Sequence, residues 1–153
     1  MDIDAYFASH ELRDPQALLD QIAATHPLTE GRVLLALVHQ PARQQRLLAV
    51  DELSPLPPDI DEEHRGRSDL LYERVWRLPI PPRSDTSASI LVTVIVRSGT
   101  NGWGEEEIRW ATGWRYSNHN SDALDRDLIV VTPHGWSSLW SKSGGHEPTM
   151  VAA

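Results

Sequence analysis

Three consecutive carboxylates, Glu105, Glu106 and Glu107, follow a glycine-rich loop that runs from Arg97-Ser98-Gly99 to Gly104. Carboxylates there could serve as a general base or hold a cation. Glu107 with a His brought near by folding would make a hydrolase site. A loop that opens a helix also offers backbone N–H groups to an anion. Arg97 would add positive charge, so the Arg97–Gly104 loop is a candidate small-ligand or nucleotide sensor. The three glutamates oppose that use because they repel phosphate, and the Gly-Lys-Ser/Thr ending of a P-loop is absent. The same acids also have a plain structural role. In the first turn of a helix, the helix dipole stabilises each by about 0.3 kcal/mol.

Other chemistry is poorly supplied. A Ser-His-Asp triad can be drawn from Ser98, His134 and Asp127, but Ser98 lacks the Gly-x-Ser-x-Gly elbow. The seven histidines are scattered, the closest two being His134 and His146, and none forms a His-x-His or His-x-x-x-His pair. A metal site would have to assemble in space, for instance from His119 or His134 with Glu107. The chain has no cysteine, which excludes disulfides, thiolate nucleophiles and Cys-based zinc sites. No cofactor or metal is expected. Trp103, Trp110 and Trp114 form a different kind of candidate. Plotted at 100° per residue they fall within roughly 40° of one another. Trp is enriched at interface hot spots, so this stripe is either core packing or a partner surface.

Elements that would position these residues can be read from the same string. Asp14-Pro15 caps and opens a helix, with Leu18, Leu19 and Ile22 at helical spacing and His26-Pro27 at its end. Arg32–His39 is a continuous apolar run, as for a strand buried on both faces, and Gln44–Val50 is its hairpin partner. Ser54–Arg67 holds three prolines and a charge cluster and reads as a surface loop. Ser68 and Asp69 start a short helix whose apolar side is Leu70, Leu71, Val75 and Trp76, and Pro79, Pro81 and Pro82 stop it. Pro79–Ser89 is a second loop. Ile90–Val96 is the central strand. The glutamate helix ends at Asn118–Asn120, Asp127–Val131 is the last strong strand, and Trp136–Trp140 is a short closing strand with both Trp on one face. The expected class is α/β: a single domain over residues 1–143, with a mixed central sheet flanked by helices. Gly144–Ala153 is expected to be a flexible tail.

Bulk properties limit the function. The chain has 153 residues, 40% of them hydrophobic and six of them Trp, which suits one folded domain. A net charge of -8 disfavours non-specific binding to nucleic acid or anionic membranes. No apolar run is long enough to span a bilayer. The N-terminal Met-Asp-Ile-Asp-Ala-Tyr has neither a basic nor an apolar leader region, so a cytoplasmic protein is expected.

The stretch Val94–Leu139 resembles the JAB/MPN-like fold, most closely its bacterial RadC-like branch. The resemblance rests on Ser98-Gly99, on the helix start Gly104-Glu-Glu-Glu107-Ile108, on Arg126-Asp127-Leu-Ile-Val130 and on Gly135-Trp-Ser-Ser-Leu139. The hairpin Val33–Val50 and the helix Ser68–Trp76 sit where that family has its first strands and intervening helix. The resemblance implies a layered, cytidine-deaminase-like α/β architecture. It also implies a metal site, whose two His positions fall here on Val94 and Val96, whose Asp falls on Glu107 and whose Ser falls on Gly104. One carboxylate does not hold a catalytic zinc, which takes three protein ligands and a water. The expectation is therefore a pseudoenzyme: a non-catalytic interaction or scaffold module that binds a protein partner or itself. Arg97, Ser98, Gly99, Trp103, Trp110 and Trp114 are its expected binding residues, and Glu107 and Ser98 are the catalytic ones if it is a hydrolase.

Overall fold

A computed structural model describes residues 2–62 and 65–152. Glu63 and His64 of the expected Ser54–Arg67 loop, and Ala153 of the expected tail, lie outside the described residues. The elements are α1 (Ile3–Ala8), α2 (Pro15–Thr25), β1 (Val33–His39), β2 (Arg46–Glu52), α3 (Gly66–Val75), β3 (Ser89–Val96), α4 (Glu105–Ser117), β4 (Ala123–Thr132), β5 (Gly135–Ser138) and β6 (Ser143–Gly145). The strands form one mixed sheet in the order β2-β1-β3-β4-β5-β6. Of the neighbouring strands among the described residues, only β3 and β4 run parallel, and α4 connects them.

Alternation along the central strands builds two cores. Side chains in a strand point to opposite faces in turn. Leu34, Ala36 and Val38 of β1, with Val92, Val94 and Val96 of β3, meet Leu18, Leu19 and Ile22 of α2. Leu35, Leu37, Leu91 and Ile95 face the other way, onto Leu71 and Val75 of α3 and Trp110 and Trp114 of α4. All eight residues of β3 are buried. The result is three layers: α2, the sheet, and the α3–α4 pair.

Local chemistry explains most boundaries. The Asp14 carboxylate caps α2 by accepting from the Ala17 N–H at 3.0 Å, and Pro15 occupies the first turn. Asn118 ends α4 in the left-handed conformation, with φ 49°. Helices α3 and α4 approach closely at Gly113, where a Cβ would lie 3.2 Å from Arg67 Cβ and 3.3 Å from Leu71 Cδ1.

Several expectations are corrected. The tail pairs back onto the sheet: β6 joins β5, Met150 N–H donates to Thr132 O at 3.0 Å, and Val151 N–H to Leu28 O at 2.9 Å. The buried Trp136 holds it further, donating its indole N–H to Glu147 O at 2.8 Å. Trp136 and Trp140 do not share a strand face, because β5 stops at Ser138. Trp136 joins the α2-side core and Trp140 is exposed on the α4 side. Trp76 is also exposed rather than part of the apolar side of α3. The Ser54–Arg67 loop does contribute to packing, through Leu56 and Ile60. Helix α1, six residues long and with no buried residue, is not among the expected elements, although Asp2 caps it and Ile3, Tyr6 and Phe7 stand at helical spacing.

Gly135 is where the tail and the β4–β5 turn meet. Its φ is +121°, and a Cβ there would lie 2.1 Å from Gly145 O. Gly31 has φ +88° but open space around it. Gly31→Ala is expected to cost about 1 kcal/mol, the backbone strain alone. Gly135→Ala should cost at least ~2 kcal/mol more, because the backbone of β6 must move. Urea unfolding of the two variants checks this, and equal losses would mean that β6 is not held at the turn.

Candidate functional site

The three first-turn carboxylates of α4 are all matched by arginines. Glu105 pairs with Arg109 at 2.5 Å and Glu106 with Arg67 at 3.2 Å. Arg67 is itself buried, bonds Glu62 at 2.6 Å and stacks its guanidinium over the Trp110 ring at 4.7 Å. Glu62 is held below the usual carboxylate range by that bond from Arg67.

Glu107 is fully buried, with 0% exposure. Its carboxylate accepts Arg97 Nη2–H at 2.6 Å, Arg97 Nε–H at 3.0 and 3.1 Å, and the Gly104 N–H at 3.0 Å. The last of these is half of a capping box. Two further guanidinium protons of Arg97 go to Ser98 O at 3.0 Å and Gly102 O at 3.1 Å. With no exposed surface, that carboxylate is closed to a water or substrate proton. The guanidinium is spent on closing the Gly99–Gly104 loop, not displayed to an anion. Buried pairs of this kind are costly to break from one side. Glu107→Gln is therefore expected to lose about 3 kcal/mol of unfolding free energy in a urea titration. A variant of unchanged stability would show that the pair holds nothing.

The residues suggested for metal or triad chemistry are not brought together. Val94 and Val96 lie in the α2-side core, whereas Glu107 meets Arg97 at the start of α4 on the other side of the sheet. His119 follows the opposite end of α4, about 18 Å from Glu107 by helical rise. It bonds Ser121 Oγ at 2.9 Å and Asp125 Oδ1 at 3.1 Å. His134 is exposed in the β4–β5 turn. Asp127 pairs in register with Val92, six residues before Ser98, so the strand separates Asp127 from Ser98 by ~20 Å. Among the described residues no group of three or more His, Asp or Glu is placed to hold a metal ion.

The tryptophan stripe divides. Trp110 is 1% exposed and Trp114 8%, both in the α4-side core, so neither offers a face to a partner. Trp114 donates its indole N–H to Thr93 Oγ1 at 2.7 Å, which explains a Thr inside the apolar β3. Trp103 precedes the helix and is 49% exposed. It meets Trp140, 52% exposed, edge to face at 5.5 Å between ring centres and 73° between planes.

These two indoles border a cleft of about 400 Å³ between α4 and β4. Ile108, Trp114 and Leu128 supply apolar wall, and Asp125, Asp127 and Arg115 supply charge. A bulge shapes it: Leu91 pairs with Asp125 but Val92 with Asp127, leaving Arg126 as the extra residue. Asp127 and Leu128, which follow the bulge, both line the cleft. Asp127 Oδ1 accepts from the Leu128 N–H at 2.9 Å and the Trp140 backbone N–H at 3.4 Å. Its Oδ2 accepts Ser138 Oγ–H at 2.5 Å and Ser141 Oγ–H at 3.4 Å. The sequence reading missed Asp125, Ile108 and Trp140 as cleft residues. The one available signal was Asp125-Arg-Asp127 within an otherwise apolar strand.

Comparison with protein-family models, with curated proteins and with solved structures finds no match to this chain.

Burial pushes the Asp127 carboxyl up from its ordinary value, against the opposing hydrogen bonds from Ser138, Leu128 and Trp140. A carboxyl that titrates higher when folded keeps its proton longer in the native state. Its contribution to stability is complete below the ordinary carboxyl range and is lost as pH rises through the folded value. Between about pH 4 and about pH 7 the stability advantage of wild type over Asp127→Asn should therefore shrink. Unfolding titrations at several pH values measure that gap, and a gap that widens with pH would rule out burial as the dominant influence.

Proposed function

We propose that this chain is a non-catalytic binding module on a JAB/MPN-like layered scaffold, engaging a partner protein at the rim of the Trp103–Trp140 cleft. The observation that carries the reading is the clustering of Trp103, Ile108 and Trp140 around one cleft, with each about half exposed. Large apolar groups gathered around a concavity and flanked by charge are typical of recognition surfaces. The engagement of all three α4 glutamates by arginines supports a module without an acid–base centre there. The order of hairpin, helix, central strand, helix, strand and closing strand supports the scaffold assignment. Buried Val94 and Val96 at the end of β3 support a scaffold that carries no His ligand on that strand.

The binding residues are narrower than the sequence suggested. Trp103 remains, Ile108 and Trp140 join it, Trp114 forms part of the wall, and Trp110 belongs to the core. A photo-reactive phenylalanine analogue in place of Trp140 is expected to give a discrete adduct in the native cell extract, and Trp103→Ala should abolish it. The same analogue at the exposed Asp20 of α2 should give none. Identical adducts from both positions, or none from Trp140, would remove the cleft as the working surface. An adduct of twice the chain mass would identify the partner as a second copy.

A further inference from the structure

Asp127 is 6% exposed, and all four of its hydrogen-bond donors are neutral. Among the described residues no salt bridge includes it, and the charge of neighbouring Arg126 is the smallest of the influences on its carboxyl; Arg97, Arg67 and Arg109 are matched to the glutamates at the start of α4, and Asp125 bonds His119. A buried carboxylate is normally paired or coordinated, because neutral donors do not cancel its charge. The one basic side chain bordering the cleft, Arg115, places its guanidinium over the Tyr116 ring at 5.6 Å. The cleft thus combines a buried carboxylate without a salt bridge, a second carboxylate at Asp125 and a near-perpendicular pair of indoles.

Each part favours the same kind of ligand. Indole faces attract cations through the ring quadrupole, most strongly when the cation is poorly hydrated. An alkylated ammonium has that character: its methyl groups fill apolar space while its charge remains. A Trp pair at 73° offers two such walls at once. Phosphate or carboxylate ligands would meet repulsion from Asp125 and Asp127.

We propose that the cleft between α4 and β4 is a receptor for an alkylammonium group, held by the indoles of Trp103 and Trp140 against the Asp127 carboxylate. This rests on the binding-module reading and names the chemistry recognised by its cleft. The group could be carried by a free quaternary amine or by a methylated lysine side chain of the partner.

Choline and its uncharged carbon isostere, 3,3-dimethylbutan-1-ol, separate charge from shape. Titration of each into the full chain is followed by Trp fluorescence. Choline should saturate, and the isostere should bind at least ~10-fold more weakly, given what a cation gains over an indole face. Trp103→Ala and Trp140→Ala should each weaken choline binding several-fold. Both side chains are exposed, so these variants keep the core. Asp127→Asn should weaken choline binding several-fold and leave that of the isostere unchanged. A peptide with trimethyl-lysine binding more than ~10-fold tighter than choline would locate the group on a partner chain, and the reverse on a small molecule. Equal binding of choline and isostere by wild type overturns the proposal and leaves an apolar docking cleft. Failure of choline and of the peptide to bind, with the Trp140 adduct intact, also overturns it while the binding-module reading stands. Failure of both, with no adduct, removes the two together.

Discussion

Burial of β3 on both faces is the constraint from which the rest of this architecture follows. Eight consecutive residues without exposed surface require strands on both edges and helices on both sides. β1 and β4 supply the edges, the first antiparallel and the second parallel. A parallel neighbour can be reached only by a crossover, and α4 is that crossover. α2 covers the even-numbered side of β3, and α3 with α4 covers the odd-numbered side. Thr93, a polar residue on the α4 side of β3, is satisfied by the indole N–H of Trp114.

Placing α4 against the sheet brings its acidic first turn into partial burial, and this decides what those acids do. A buried carboxylate that is neither paired nor hydrogen-bonded is too costly to keep. Arg97, at the end of β3, and Arg67, from α3, meet that requirement. A sequence pattern resembling a catalytic motif is in this way a set of clamps tying α4 to its neighbours. Gly113 completes the arrangement by letting α3 and α4 approach within side-chain contact. Exposed Glu105 pairs within α4 with Arg109, and of the two buried carboxylates among the described residues, Glu107 and Asp127, only Asp127 has neutral donors alone.

The cleft arises at the other border of α4, from segments far apart in the chain. Trp103 comes from the loop before the helix, Trp140 from beyond β5, and Asp127 from a bulge in β4. The docking of residues 143–152 onto β5 and the α2-side loops holds the Trp140 turn in place. A bulge in a parallel pair bends the strand and resets its alternation, here at Arg126, immediately before Asp127.

Local chemistry alone determined a good part of this protein. Asp14-Pro15 defined the start of α2, the apolar runs defined β1, β3 and β4, and Asn118 ended α4, because caps, prolines and buried strands act over a few residues. The α/β class and the mixed sheet followed from the order of those runs. The site was much less legible. Helical spacing placed Trp103, Trp110 and Trp114 on one arc, but it carries no information about which layer covers that arc, and packing buried two of the three. Glu107 stood out by position, yet its role depends on Arg97 ten residues earlier. Trp140 looked like the strand partner of Trp136 until the chain left the sheet after Ser138. Which side chains end in solvent, and which charges find a partner, is decided by contacts between elements distant in sequence, and only the assembled tertiary structure contains those contacts.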